Sequence, residues 1–233
     1  MHVPDGFINA PVSLATGLVA VAGLAVCLRG AQRELDDKTA PLAGLVAAFI
    51  FAVQMLNFPV AVGTSGHLMG GALAAVLVGP YTGVLCVSVV LLVQALFFAD
   101  GGLTALGTNI VLMALVTAVV GYTITVLAQA VLPKVRGSLV PAAALGALVS
   151  VPAAALVFVL LFALGGNADI PLGEVVAGMT GVHVLIGIGE ATITGLTVGS
   201  ILAVRPDLVY AARRYRQDLA IHHAPARWAG RLR

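Results

Sequence analysis

Charge is scarce in this chain: only 9% of its 233 residues are Asp, Glu, Lys or Arg, against 60% apolar residues and a mean hydropathy of +1.07. A soluble globular domain carries about 25% charged residues, so this composition excludes one and predicts an integral membrane protein. Cysteine is nearly absent as well. Cys27 and Cys86 stand alone, without a CxxC or a His/Cys cluster, which excludes a disulfide framework and gives no support to a zinc or iron–sulfur site. Met1 to Ala10 contains no Lys or Arg. A secretory signal places basic residues ahead of its apolar core, so the N-terminus is read as part of the mature protein. The chain also lacks a GxxxxGK[ST] loop and an HExxH motif, so nothing in it predicts ATP hydrolysis or zinc proteolysis of the usual kind. Nothing argues for nucleic acid as a partner.

What is present is a series of apolar runs punctuated by Gly and Pro. A bilayer core of roughly 30 Å needs about 20 apolar residues per helix. Seven apolar segments can be placed, at about 11–28, 41–57, 67–79, 82–98, 103–131, 138–164 and 175–204. The runs do not alternate polar and apolar residues, which argues for an all-α polytopic bundle and against a porin-like barrel. The third segment, "GHLMGGALAAVLVGP", is short for a free span. Its Gly and Ala content allows close backbone approach, so a short or partly re-entrant helix buried by its neighbours is expected.

Basic residues decide the orientation. All twelve Lys and Arg fall after the first, fifth and seventh segments, in "LRGAQRELDDK", in "PKVRG" and from Arg205 onward. By the positive-inside rule the N-terminus is outside and the C-terminus cytoplasmic. The outer side then carries Asp5, Asp100, Asp169 and Glu174, together with two isolated histidines, His2 and His67. Residues 1–208 read as the membrane domain and 209–233 as a basic cytoplasmic tail. In that tail "ARRYRQDLAIHHAPARWAGRLR" resembles a surface anchor for anionic lipid more than a metal site, despite His222 and His223.

An X-His terminus has a specific chemistry. The Met1 amine, the His2 amide nitrogen and the His2 imidazole Nδ1 can close fused five- and six-membered rings around one cation. Those three nitrogens lie in a plane, and a fourth completes a square. Planar nitrogen coordination suits Ni(II), Cu(II) and strong-field Co(II); Mg and Ca need oxygen, and zinc prefers a tetrahedron. His67 is the best available fourth donor, since His183 lies deep in the seventh segment and His222 and His223 lie in the tail. Pro4 keeps Val3 extended, and Asp5 is expected to accept an imidazole N–H. The bland alternative is a solvated His2 and an interfacial His67 with a local hydrogen bond.

Five ordered segments, "MHVPDGF", "QMLNFPVAVGTSGHLMGG", "QALFFADGGLTALGTN", "GVHVLIGIGEATITG" and "RPDL", resemble the signatures of the CbiM/NikM family. These are substrate-specific membrane components of energy-coupling factor transporters for cobalt and nickel. The resemblance spans residues 1–208. It implies a seven-helix capture subunit whose N-terminus tucks into the bundle, with Met1, His2 and His67 as ligands of a substrate ion, Co(II) or Ni(II), and no prosthetic group. It also implies a transmembrane coupling subunit, two ATPase subunits and a small auxiliary membrane protein as partners, in a bacterial or archaeal cell membrane, and a link to cobalamin biosynthesis if the ion is cobalt. The resemblance would place a second Asn close to Met113; the stretch reads "TNIVLM", with Leu112 there. The chelate further requires that Met1 be retained and unformylated.

Other polar groups at membrane depth are expected to face the bundle interior. His183 and Glu190, seven apart in "HVLIGIGE", lie on one helical face. They line an inner release path, contact the coupling subunit, or form a structural polar pair. Gln94, Asp100 and Asn109 flank the turn "ADGG" and are expected either to hold a loop over the metal or to form an ordinary turn. Ser13 and Gly17 form a small-xxx-small pair suited to helix packing. A different class, an intramembrane metalloenzyme using His67, His183 and Glu190, is disfavoured because His67 is expected on the outer side, far from Glu190. A secondary transporter would show inverted repeats with broken helices in both halves, which the sequence does not display.

Overall fold

The computed structural model describes residues 1–37, 39–56, 58–61 and 64–213. Among the described residues seven helices run in chain order: α1 (Ala10–Glu34), α2 (Thr39–Gln54), α3 (Gly71–Val78), α4 (Pro80–Phe97), α5 (Leu106–Val131), α6 (Leu139–Gly165) and α7 (Leu172–Val204). Five of them, α1 and α4 to α7, are long and apolar enough to cross a bilayer, and α2 is a shorter apolar helix. Their exposed faces are apolar, with Leu14, Leu18, Leu45 and Val131 open to the surroundings, as lipid rather than water requires. The sequence places the seven segments correctly, but α1 continues to Glu34, and the second segment stops at Gln54 rather than 57. Between α2 and α3 an antiparallel hairpin pairs β1 (Phe58–Ala61) with β2 (Thr64–Gly66).

α3 is the centre of the bundle. Its eight residues are all buried, and it packs on α2, α4, α5, α6 and α7. At 1.5 Å per residue it spans only about 12 Å, so the chain reaches mid-bundle in extended form before the helix begins. The helix follows Gly70, at φ +77°, and ends at Gly79, at φ +105°, two conformations that a side chain would strain. Glu190 of α7 stabilises its start. One carboxylate oxygen accepts from Met69 N at 2.7 Å and the other from Gly70 N at 2.6 Å, which offsets the positive end of the helix dipole. Glu34 does the same for α4, accepting from Thr82 N at 2.7 Å and Tyr81 N at 3.3 Å. This use of Glu34 has no local signature in the sequence.

Elsewhere small residues let helices cross closely. Gly17 of α1 lies against Gly107 of α5, and beside them Thr16 Oγ1 is 2.7 Å from Thr108 Oγ1. Ser13 instead bonds Ile8 O, so of the Ser13 and Gly17 pair it is Gly17 that packs at the crossing. Pro152 in α6 has no N–H to give to Leu148 O, and Gly187 of α7 packs against that carbonyl.

The basic end of the bundle gathers Glu34, Asp36 and Arg213, with Arg213 bonding Glu34 O and Asp36. The tail residues 214–233, with Tyr215, His222, His223 and Trp228, lie outside the described residues.

Candidate metal-capture site

The first nine residues are built into the end of the bundle opposite the basic one. Asn9 caps α1, its side chain accepting from Val12 N at 3.0 Å with Pro11 in the first turn. Ile8 bridges to Gly166, Asn9 N donates to Gly165 O at 2.7 Å, and Asn167 N donates to Phe7 O at 3.0 Å. Phe7 packs on Phe158 and Phe162 of α6, with ring centroids 6.0 and 5.6 Å away. Val3 is held on the other side. Its N–H donates to Asn109 Oδ1 at 2.8 Å, its carbonyl accepts from Asn109 Nδ2 at 3.2 Å, and the same carbonyl accepts from Gly102 N at 2.9 Å. Asn109 therefore clamps one residue by both its backbone groups. Directly after it, Ile110–Val116 of α5 form a π-helical stretch, a feature frequent at functional sites. Leu112, where a second Asn was expected, is fully buried within that stretch.

This clamping drives Met1 into the interior, where it is 8% exposed, beside His67 at 1%. The Met1 amine nitrogen is 3.0 Å from His67 Nε2, and the His2 and His67 rings stack with centroids 4.6 Å apart. His67 Nδ1 lies 2.8 Å from Leu68 O. A carbonyl only accepts, so the proton is on Nδ1, and Nε2 presents its lone pair to the amine. Two nitrogens bound side by side on one ion at about 2.0–2.1 Å are about 2.9 Å apart, which the observed separation matches. Burial lowers the amine pKa from 8.0 to about 5, with Asp100 opposing the shift, so in the neutral pH range the amine is an unprotonated donor.

The outer partners of His2 come from the turn after α4. Asp100 Oδ1 is 3.1 Å from His2 Nδ1 and Gln94 Oε1 is 3.2 Å from His2 Nε2. The hydrogen bond with His2 holds the Asp100 carboxyl below its usual range, against the opposing effect of burial. Asp100 Oδ2 and Gln94 Nε2 are buried without partners. Ala99 adopts φ +51° to make this turn, a left-handed conformation that glycine takes more easily.

Two expectations need correction. Asp5 does not meet an imidazole: its Oδ1 accepts from Thr104 N and Thr104 Oγ1, which hold its carboxyl below the usual range. That role falls to Asp100, because the backbone turn at Asp5 and Gly6 points the Asp5 side chain to the 102–104 loop. Glu190 is not remote from His67 either. Its carboxylate binds the backbone two and three residues after His67, because the extended descent of residues 67–70 carries that strand of chain deep into the bundle. His183 points Nδ1 at Met179 O, 2.6 Å away, and its Nε2 has no partner. Among the described residues no group of three or more His, Cys, Asp and Glu side chains is placed to hold a metal; a terminal amine and a backbone amide are outside such a count.

Residues 2–208 match the family described as CbiM, cobalt uptake substrate-specific transmembrane region. The chain belongs to the CbiM family. It is 39% identical to a putative metal transport protein of Haloquadratum walsbyi, covering 90% of this chain and 94% of that one. A cobalt transport protein CbiM of Sorangium cellulosum is 33% identical, with coverage of 90% and 94%. A putative fused nickel transport protein NikMN of Archaeoglobus fulgidus is 38% identical, over 90% of this chain and 68% of its own length. A crystal structure titled as a transition metal transporter superposes with a TM-score of 0.81 at 30% identity, covering 94% of this chain and all of that one. As a CbiM-family member the chain is a multi-pass membrane component of cobalt/nickel transport.

Proposed function

We propose that this CbiM-family chain is the substrate-binding component of an energy-coupling factor importer, capturing Co(II) from outside and delivering it to the cytoplasm, with Ni(II) the competing ion. The Met1 amine, the His2 amide and imidazole, and the His67 imidazole hold the ion in a plane of four nitrogens. The observation that carries this reading is the buried Met1 amine 3.0 Å from the lone pair of His67 Nε2. The unpartnered Asp100 Oδ2 and Gln94 Nε2 add spare hydrogen-bonding capacity around His2. For the chelate to close, His2 Nδ1 turns from Asp100 to the ion and the amide gives up its proton.

Energy for transport comes from two partner ATPase subunits acting through a transmembrane coupling subunit, with a small auxiliary membrane protein, and the imported cobalt feeds cobalamin biosynthesis. Residues 1–208 are the capture domain, and the basic remainder is a cytoplasmic tail. The chain itself is not an enzyme. An intramembrane metalloenzyme would need Glu190 as its acid or base, whereas both oxygens of that carboxylate are occupied by backbone N–H groups.

The test compares protein bearing its native Met1 amine with protein carrying one extra residue ahead of it. The native form is expected to bind one Co(II) or Ni(II) per chain with a planar-type absorption spectrum, and the extended form none. Equal binding by both forms would overturn the reading. Competition between the two ions on the native form then fixes which is preferred.

A further inference from the structure

A divalent ion held by these four nitrogens brings more charge into the site than the donors cancel. It arrives doubly positive and sheds its water. The two imidazoles are neutral ligands and the Met1 amine is unprotonated, so the donors supply a single negative charge, that of the His2 amide once its proton has left to solvent. The closed chelate therefore keeps one positive charge, beside a Met1 that is 8% exposed and a His67 that is 1% exposed. A charge buried in this way is costly unless an opposite charge stands close to it, and the ion's own charge sets what its surroundings must supply.

The neighbouring carboxylates are committed elsewhere. Asp5 Oδ1 accepts from Thr104 N and Thr104 Oγ1, and both oxygens of Glu190 hold the backbone at Met69 and Gly70. Asp100 differs from both. Its Oδ1 meets His2 Nδ1 at 3.1 Å, its Oδ2 is buried without a partner, and the outer connections contain no Lys or Arg to pair with it. It also acts electrostatically on the Met1 amine, and the amine on it. Metal binding removes the contact with His2. Once His2 Nδ1 turns to the ion, the ring proton resides on Nε2, whose neighbour is Gln94 Oε1 at 3.2 Å. A carboxylate with both oxygens released then stands beside a chelate whose charge is not cancelled.

We propose that Asp100 is the counter-charge of the closed chelate: its carboxylate, released from His2 Nδ1, pairs with the singly positive complex and accepts a hydrogen bond from the metal-bound Met1 amine. This role rests on the capture reading above. A coordinated primary amine carries two N–H groups polarised by the ion, and His67 Nε2, its neighbour in the metal-free fold, has by then given its lone pair to the metal. The sum of charges is zero: two positive from the ion, one negative from the amide nitrogen, one negative from Asp100. Asp100 thus serves in turn as the partner of the free His2 ring and of the loaded site, without itself entering the square of nitrogens.

The experiment separates charge from shape, with Ni(II) as the probe, the purified full chain with its native Met1 amine, and Asp100→Asn and Asp100→Ala as variants. Asp100→Asn keeps the side chain's shape and one oxygen acceptor and removes the charge. Its affinity, from competition titration against a chelator, is expected to fall about tenfold to a hundredfold, with the metal-free melting temperature unchanged. Asp100→Ala is expected to lose at least as much and to regain most of it in millimolar formate, since this side chain is 23% exposed and a small carboxylate can take its place. Formamide, of the same shape and uncharged, is expected to restore nothing, and formate should leave the unaltered chain's affinity as it was. Binding by Asp100→Asn within about twofold of the unaltered chain overturns the assignment. So does equal rescue of Asp100→Ala by formate and formamide, or none by formate. If the unaltered chain fails to bind Ni(II), the capture reading fails instead, and that result is seen before any variant is made.

Discussion

The Met1 amine and His67 Nε2 lie 3.0 Å apart although 66 positions separate them in the chain. Nothing local enforces that contact. It depends on Asn109 and the 165–167 segment holding residues 3–9 in place, and on Glu190 and Gln54 holding residues 69–70. The consequences of that scaffold can be measured one support at a time.

Asn109→Leu removes both bonds to Val3 and leaves its buried N–H without a partner. Such a loss costs about 1–3 kcal/mol, so metal affinity should fall roughly tenfold to a hundredfold with the helical content unchanged. Competition titration against a chelator, beside circular dichroism, measures both quantities. Unaltered affinity would mean that the terminus is held by other contacts.

Replacing Glu190 should act on stability before it acts on binding. Glu190→Ala strips two charge-assisted bonds from the start of α3, each worth about 1.5–3 kcal/mol, and a marked drop in melting temperature is expected. Glu190→Gln keeps one acceptor but turns its NH2 group toward a backbone N–H, so it should be intermediate. Thermal melts of the three proteins in one detergent give the order.

At Ala99 the left-handed φ of +51° costs an ordinary residue about 1–2 kcal/mol. Ala99→Gly should be neutral to slightly stabilising. Ala99→Val, β-branched and poorly suited to that conformation, should lower stability and loosen the turn that presents Asp100 to His2. Melting temperature and metal affinity measured on both variants check this.

The Met1 amine sets a pH dependence. Its pKa is about 5 in the fold against 8.0 ordinarily. Between those values the unfolded chain binds a proton that the folded chain does not, so this group makes metal-free stability rise with pH across that window and level off above it. For the ion the consequence is a simpler proton count. From about pH 7.5 to 8.5, binding should release only the His2 amide proton, at a constant level. An amine of ordinary pKa would add a further release that fades across the interval. Calorimetry in buffers of different ionisation enthalpy distinguishes the two.

Much of this was legible in the sequence. Hydropathy runs set the seven segments because each bilayer-spanning helix must satisfy its own backbone, and the placement of Lys and Arg predicts the orientation. The donor set proposed at Met1, His2 and His67 rests on chelate chemistry, which depends on residue type and on position at the chain terminus. The assignment of Asp5 failed for a different reason: proximity in sequence to His2 says nothing about which carboxylate faces the ring once the chain turns at Gly6. Glu34 was missed because a lone carboxylate in a basic loop looks solvated until Tyr81 and Thr82 are brought to it.

The sequence by itself thus determined the membrane class and the spans, and it is the basis on which sidedness and the kind of donor are proposed, since these rest on composition, local periodicity and covalent structure. Only the tertiary structure decided that Asp100 faces His2, that Asn109 grips Val3, that Glu190 caps α3, and that Asp100 Oδ2 is left without a partner. Each of those is a contact between segments dozens of residues apart, and such contacts are chosen by how seven helices of limited polar content can pack while leaving few buried hydrogen-bonding groups unmet.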